Sequence, residues 1–196
     1  MAKKPEKQVC IEIPPLDLKE FDLELIGDTS LISHAWSDKA MREIADKQAK
    51  KAKQGREKRD PEAEYKASMY AHPDGGYGFP TVAFKAAAVR AAKQAGLPMT
   101  DARCFFHVDG ELVKIIGEPT MRTDMVRVSN GAADIRYRGE FKNWRVKLRV
   151  RYNSAVIGAE QVINLFNIAG FGIGVGEWRP EKSGSYGMWH VRTGAE

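Results

Sequence analysis

The sequence predicts an α+β fold, in which a ferredoxin-like antiparallel sheet carries helices on one face and leaves the other face open. Strand-like alternation occurs near the start of the chain, between two helical segments (82–95 and 159–169), and again at the end. The resulting order is strand, helix, several antiparallel strands, helix and strand, which is typical of a ferredoxin-like sheet. We therefore expect residues 1–196 to form a single domain with a helical insertion at about 36–70.

The first strand is predicted within 21–34, where Phe21, Leu23 and Leu25 alternate with polar or acidic neighbours. Successive side chains of a strand point to opposite faces, so this alternation is typical of a strand with one buried face. Gly27-Asp28 favours a turn and is expected to interrupt the strand.

The insertion at 36–70 begins with a helical pattern and continues as a highly charged run. Ser37 is predicted to cap a helix that carries a narrow apolar stripe. Between 38 and 66 there are ten basic and seven acidic residues. Such a mixed run favours a solvated helix or loop, and the alternative is a basic arm that becomes ordered over a bound strand. Asp60-Pro61 marks a break before a short helix at 62–70.

The middle of the chain contains a second helix and a predicted hairpin. The segment 72–80 is rich in glycine and proline and is predicted to be a loop. Thr81 is expected to cap the alanine-rich helix 82–95. Asp109-Gly110 then separates two strand-like runs, which predicts a β-hairpin.

The stretch 134–153 has the clearest pattern in the chain. From Trp144 onward apolar and basic residues alternate strictly, so a strand there has one apolar and one wholly basic face. The run before it alternates too, and Lys142-Asn143 suits a tight turn, which predicts a second hairpin. The expected facing pairs are Phe141 with Trp144, Tyr137 with Leu148, Arg138 with Lys147, and Arg136 with Arg149.

Positive charge is concentrated in this part of the chain. The net charge of the whole chain is +5, but the range 122–151 contains nine Lys/Arg and only three acidic residues. Like charges that face each other across a sheet destabilise it. The basic face is therefore expected either to be solvated, with acids supplied by a neighbouring strand, or to bind the phosphates of a nucleic acid.

A glycine-rich segment follows the helix predicted at 159–169, which Gly170 is expected to end. The glycines could let backbone N–H groups approach a phosphate, or could simply form a connector that returns the chain to the sheet. Aromatic and basic residues are interleaved after the glycines, which favours base stacking combined with phosphate contacts. These residues are Trp178, Arg179, Lys182 and Tyr186.

Other features argue against several classes of protein. Cys10 and Cys104 lie far apart without CxxC spacing, which favours a reducing cytoplasm over a disulfide scaffold or zinc ribbon. No apolar run approaches about eighteen residues, so we expect neither a signal peptide nor a membrane span. The sequence shows no metal-binding or nucleophile motif, so no metal, cofactor or catalytic residue is predicted. His34 is kept only as an outside candidate for acid–base chemistry on RNA.

Two segments resemble the RAMP superfamily of CRISPR effector proteins. In that family a helix near the C-terminus ends in a glycine cluster, an arginine follows, and a Gly-aromatic-Gly step enters the final strand. The same order is present in LFNIAGFGIGVGEWRPEKSGSYGMWHV, and the family's proline–lysine–helix–arginine segment is matched by GFPTVAFKAAAVRAAK. The matching positions are Gly172, Gly174, Gly176, Arg179, Gly184 and Gly187 in the first segment, and Pro80, Lys85 and Arg90 in the second.

The resemblance implies an RRM-like fold and a non-enzymatic backbone subunit whose copies assemble along single-stranded RNA or DNA. The alternatives are a phage-encoded inhibitor or decoy that copies the fold and binds CRISPR proteins, a phage virion or assembly protein, and an endoribonuclease that uses His34. The predicted phosphate contacts come from basic residues, and two aromatic residues are predicted to stack on bases. The full set is Lys85, Arg90, Arg136, Arg138, Lys147, Arg149, Arg179 and Lys182, with Trp178 and Tyr186 as the stacking residues.

Overall fold

A computed structural model describes residues 15–36, 38–50, 59–127 and 131–194. In chain order, the elements are β1 (Leu18–Gly27), β2 (Leu31–Ser33), α1 (Asp38–Gln48), α2 (Pro61–Ala67), β3 (Tyr70–Ala71), β4 (Tyr77–Pro80), α3 (Thr81–Ala91), α4 (Met99–Phe105), β5 (Phe106–Val108), β6 (Leu112–Lys114), β7 (Pro119–Arg127), β8 (Ala133–Phe141), β9 (Arg145–Asn153), α5 (Ala159–Gly172), a 3₁₀ turn (Pro180–Lys182) and β10 (Trp189–Val191).

The main sheet has four strands in the order β10-β1-β9-β5, and every neighbouring pair is antiparallel. Helix α3 lies between β1 and β5 in the chain, and α5 lies between β9 and β10. Counted along the chain, these four strands occupy the order fourth, first, third and second, which is the arrangement of a ferredoxin-like β-α-β-β-α-β unit. The predicted α+β, ferredoxin-like fold is confirmed.

The core lies between this sheet and the helices α3 and α5. The inward side chains of β9, such as Val146 and Val150, are fully buried, as the alternation predicts. Phe84 of α3 packs with its ring centroid 5.5 Å from that of Trp189, and Phe106 packs 5.8 Å from Phe166 of α5. Burial of each such side chain contributes roughly 1.5–3 kcal/mol.

Two smaller sheets are inserted into the ferredoxin-like unit, and they show that both predicted hairpins are wrong. Their strand orders are β2-β8-β7 and β3-β4-β6. Strand β8 pairs with β7 and β2, whereas β9 pairs with β1 and β5, so the facing pairs predicted across Lys142-Asn143 do not form. Likewise β5 pairs with β9 and β6 with β4. Alternation fixes which face of a strand is buried, but it does not specify the neighbouring strand.

Several element boundaries also differ from the prediction. Thr81 does not cap α3, because it is the first helical residue and its hydroxyl donates to the carbonyl of Gly110. Residues 77–80, predicted as loop, form β4. Helix α5 continues past Gly170, which lies so close to the backbone of Trp189 that a side chain would not fit. Gly170 is therefore a packing residue rather than a helix terminator.

Part of the predicted insertion lies outside the described residues. This applies to Ser37 and to 51–58, which include much of the basic run. The helix predicted after Ser37 is present as α1, and the short helix after Asp60 is present as α2, where Asp60 accepts hydrogen bonds from the backbone N–H groups of Glu62 and Ala63. The domain boundaries remain a prediction. Within the described part of the chain, no helix has the length and hydrophobicity needed to cross a bilayer.

Candidate nucleic-acid interface

The basic face of β9 lies on the open side of the main sheet, where acidic residues of β1 face it. Asp22 lies opposite Arg149, and Glu24 lies opposite Lys147. Arg149 Nη2 lies 2.7 Å from Glu20 Oε2, and the hydrogen bond with Glu20 raises the pKa of the Arg149 guanidinium. Basic residues of β9 therefore face acidic residues of β1. This is the first of the two arrangements expected from the sequence, a solvated face with acids supplied by a neighbouring strand.

Arg136 and Arg138, both assigned to this interface from the sequence, lie on β8 in another sheet. Arg138 is 4% exposed, and its Nη1 donates to Asp124 Oδ2 at 3.1 Å. Its Nε is buried without a hydrogen-bond partner among the described residues. Arg136 is more exposed and donates to Asp134 at 3.2 Å. Arg138 therefore forms a buried ion pair and cannot reach an external phosphate without breaking it.

Arg122, which the sequence did not single out, connects this ion pair to the glycine-rich segment. Its Nε donates to Asp124 Oδ1 at 2.8 Å, and its guanidinium lies 4.8 Å from the ring centroid of Tyr186. Burial alone would lower the pKa of Arg122, but its hydrogen bonds with Asp124 and Tyr186 produce a net increase. One face of the Tyr186 ring is thus already occupied by a cation.

A pocket of about 270 Å³ lies between α3 and the glycine-rich segment. Its wall is apolar where Phe79, Pro80 and Ala83 line it. Its ionisable basic and acidic groups come from the residue after β2, from α3 and from the segment after α5. They belong to His34, Arg90, Glu177 and Arg179.

Arg90 and Arg179 meet at this pocket because both bind the same carboxylate. Arg90 Nη1 lies 2.8 Å from Glu181 Oε2, and Arg179 Nη2 lies 2.9 Å from the same oxygen. Arg179 also donates to the carbonyl of Gly176 at 3.1 Å, which fixes its orientation. Two guanidinium groups that share one carboxylate leave an excess positive charge at the rim, and Arg90 is 44% exposed there.

A histidine–carboxylate pair also lines the pocket. His34 Nδ1 lies 2.9 Å from Glu177 Oε1. The hydrogen bond with His34 lowers the pKa of Glu177, although burial opposes this effect. Arg138, whose Nη2 lies 3.9 Å from Glu177 Oε2, lowers the pKa further. The carboxylate therefore orients the imidazole towards a space that a ligand can enter. Among the described residues, no group of three or more metal-ligating side chains comes together.

Contacts within the protein explain Gly174 and Gly187. The N–H of Gly174 donates to Ala169, and the N–H of Gly187 donates to Ser30. Both glycines have positive φ, and a Cβ on Gly187 would overlap the carbonyl oxygen of Val175. These two N–H groups are therefore not free to cradle a phosphate. The segment instead forms a compact frame that presents Trp178, which is 41% exposed, and the exposed Lys182.

Lys85 lies away from the pocket. At 3.6 residues per turn, its side chain leaves α3 about 130° from the side that carries Ala83, Ala86 and Arg90. Its Nζ lies 3.0 Å from His107 Nδ1 on β5. The structure therefore brings Arg90, Arg179, Lys182 and Trp178 to one region, and it separates them from Lys85 and from the basic face of β9.

No protein-family model and no curated protein sequence matches the chain. Among solved structures, it is similar to a chain in the cryo-EM structure of the type III-B Cmr-beta bound to cognate target RNA, with a TM-score of 0.54 and 10% identity. The chain has a RAMP-like fold. The match covers 90% of this protein but 60% of that chain, so the protein spans about three fifths of its length.

A second similar structure is Cmr6 from Pyrococcus furiosus, with a TM-score of 0.47, 10% identity, and coverage of 91% of this chain and 100% of that one. The resemblance to RAMP proteins predicted from the sequence is confirmed at the level of the fold. None of these findings supports a phage origin.

Proposed function

We propose that the protein is a non-enzymatic subunit of a CRISPR effector assembly and that it binds single-stranded nucleic acid. The observation that carries this proposal is the convergence of Arg90 and Arg179 on one carboxylate, where Arg179 directly follows the exposed Trp178 in the chain. Guanidinium groups combined with an accessible aromatic ring suit a phosphate and its base. The shared fold with a chain of an assembly bound to target RNA supports RNA as the ligand.

In this proposal the predicted interface residues have two different roles. Arg90, Arg179 and Lys182 contact phosphates, while Trp178 stacks on a base and Tyr186 offers its remaining face. The basic residues that face carboxylates of the protein itself are assigned no contact with nucleic acid. These are Arg136, Arg138, Lys147 and Arg149.

The double variant Arg90→Gln/Arg179→Gln is expected to bind RNA more weakly than the unmodified protein. Each lost phosphate contact changes the slope of log K against log salt by about 0.7 for a single strand, so the slope becomes shallower by about 1.4. Fluorescence anisotropy with a labelled oligouridine, measured at several salt concentrations, gives both the affinity and the slope.

Arg149→Gln is the matched control, because it removes the same charge from the open sheet face, where Arg149 pairs with Glu20. We expect it to leave both affinity and slope nearly unchanged. An equal loss in the control, or an affinity that does not depend on salt, would contradict the proposed interface. Sedimentation of the complex with RNA of increasing length tests whether several copies assemble on one strand. A cytoplasmic location remains a prediction from the two distant cysteines.

A second candidate function, endoribonuclease activity, is favoured by one observation: His34 is oriented by Glu177 inside the pocket. A neutral imidazole held by a carboxylate can accept a proton from a 2′-hydroxyl. The non-enzymatic proposal expects that labelled RNA stays intact with the unmodified protein and that His34→Ala retains binding. Cleavage that persists with a chelator and disappears in His34→Ala would instead establish the second function.

A further inference from the structure

His107 has surroundings unlike those of the other three histidines. Each of the other three lies within ion-pair distance of a carboxylate, whereas no carboxylate of the described residues forms such a pair with His107. Its Nδ1 lies 3.0 Å from the ammonium group of Lys85 instead. The three histidine–carboxylate pairs are His34 with Glu177, His72 with Asp74 and His190 with Asp28.

A second cation lies on the other side of His107. Arg151 of β9 is directly opposite His107 of β5 in the sheet register. The carboxylate that pairs with Arg151 is Asp109, at 3.6 Å from its Nη2. Glu20, which lies opposite Arg151 on β1, has its carboxylate 2.7 Å from Arg149. Lys85 and Arg151 therefore both lie near His107 at the β5 edge of the main sheet. The carboxylate that pairs with one of these three basic groups is that of Asp109.

The hydrogen-bonding capacity of these groups is only partly used. A charged lysine has donors only, so Nδ1 of His107 must accept and the ring proton lies on Nε2. Two N–H groups of Lys85 and the Nε2–H of His107 remain to donate elsewhere. Burial and the two neighbouring cations lower the pKa of His107, with Asp109 opposing them. Burial also lowers the pKa of Lys85, with Cys104 opposing it.

We propose that Lys85, His107 and Arg151 form a site for a phosphate group at the β5 edge of the main sheet. A tetrahedral anion offers several acceptor oxygens to donors that converge from α3, β5 and β9, and its charge offsets the cations. The site is separate from the pocket beside Arg90, since Lys85 leaves α3 on a different side. It does not depend on the proposed function, because the phosphate can belong to a strand or be free.

Titration of the four histidines by NMR tests this site in the full chain. Inorganic phosphate is compared with chloride at equal ionic strength. We expect the titration midpoint of His107 to move to higher pH in phosphate, because a bound anion favours the imidazolium form. His72 and His190, which lie in neither proposed site, are expected not to respond to phosphate, whereas His34 lines the other proposed site and is not used as a control. No movement at His107, or the same movement at all four histidines, would overturn the proposal.

Lys85→Gln is expected to weaken the apparent affinity for inorganic phosphate about tenfold, because it removes one charge-assisted hydrogen bond. Lys93→Gln removes an exposed lysine just beyond α3 and is expected to have no effect. If Lys85→Gln does not fold, Lys85→Arg is used instead. Because it keeps the positive charge, phosphate must still shift the titration midpoint of His107 in this variant. An unchanged phosphate affinity in folded Lys85→Gln would refute the site.

The source of the phosphate is distinguished by a second arm of the same experiment. An oligouridine with a 5′-phosphate and the same strand with a 5′-hydroxyl are added in place of inorganic phosphate. A shift of His107 with either strand identifies a nucleic-acid phosphate, and a shift with the phosphorylated strand alone identifies its terminal group. A shift with inorganic phosphate only identifies a free anion. Each of these outcomes supports the phosphate site. If RNA does not bind at the α3 pocket, the shift of His107 in inorganic phosphate is still expected.

Discussion

Gly187→Ala is expected to lower the free energy of unfolding by about 3 kcal/mol. Gly187 has a φ of 65°, a conformation that costs a residue with a side chain about 1–2 kcal/mol. The new Cβ would also overlap the carbonyl oxygen of Val175, and relief of that overlap costs about 1–3 kcal/mol more. Movement of the backbone would strain its hydrogen bonds with Ser30 and Val175. Denaturation in urea measures the loss.

Gly75→Ala separates the two contributions. Gly75 has a similar φ of 81°, but no atom lies within 4 Å of the position that a Cβ would take. We therefore expect only the conformational cost, about 1 kcal/mol. If Gly75→Ala and Gly187→Ala destabilise the protein equally, the close packing of the glycine-rich segment is not what makes Gly187 necessary.

Asp124→Ala is expected to destabilise the protein by about 3–5 kcal/mol. The Arg138 side chain is 5% exposed and that of Asp124 is 9% exposed, so removal of the carboxylate leaves a buried guanidinium whose remaining counter-charge is Glu177, at 3.9 Å. Arg122, which also binds Asp124, loses a partner at the same time. The measurement is the shift in the midpoint of urea denaturation at constant slope.

Glu20→Ala provides the comparison at the surface. It also removes a carboxylate from an arginine, but the side chains of Glu20 and Arg149 are 43% and 62% exposed. Water and salt replace such an exposed interaction at little cost, so we expect no measurable change in the denaturation midpoint. A loss for Asp124→Ala as small as that for Glu20→Ala would show that Arg138 can reach solvent.

Much of the ferredoxin-like unit could be predicted, because alternation and helical periodicity are local properties of the chain. Strand β1 ends at Gly27, as the turn-forming Gly27-Asp28 indicates, and β9 buries the apolar side of its alternation. Strand pairing could not be predicted in the same way. The chain changes sheet between Phe141 and Arg145, and two strands joined by a short link need not be neighbours.

The charges show the same limitation. Four basic residues on β9 suggested an anion, but β1 carries Glu20, Asp22 and Glu24 in an equally clear alternation. These acids were visible in the sequence and could have been matched to β9 if the strand order had been known. The pairing of Arg138 with Asp124 depends on the pairing of β7 with β8, which is not a local property of the sequence.

The pocket was predicted only in part. The resemblance linked the segments that contain Arg90 and Arg179, and the structure brings both residues to Glu181. Glu177 and Glu181 were not predicted, although each lies within two residues of Arg179 in the sequence. Acidic residues close to a candidate phosphate-binding arginine therefore need to be included in the predicted site, because they orient the guanidinium and reduce the net charge of the site.

The paired strands β1 and β9 also affect how binding experiments with this protein are interpreted. Mobile ions compete for the exposed acid–base pairs between Glu20 and Arg149 as they compete for a polyanion. Raising the ionic strength thus loosens these surface pairs, and the same ions also screen the released basic side chains from a nucleic acid. Concentrated salt therefore does not turn the open sheet face into a second binding surface, and a signal that persists there reports contacts that do not depend on charge.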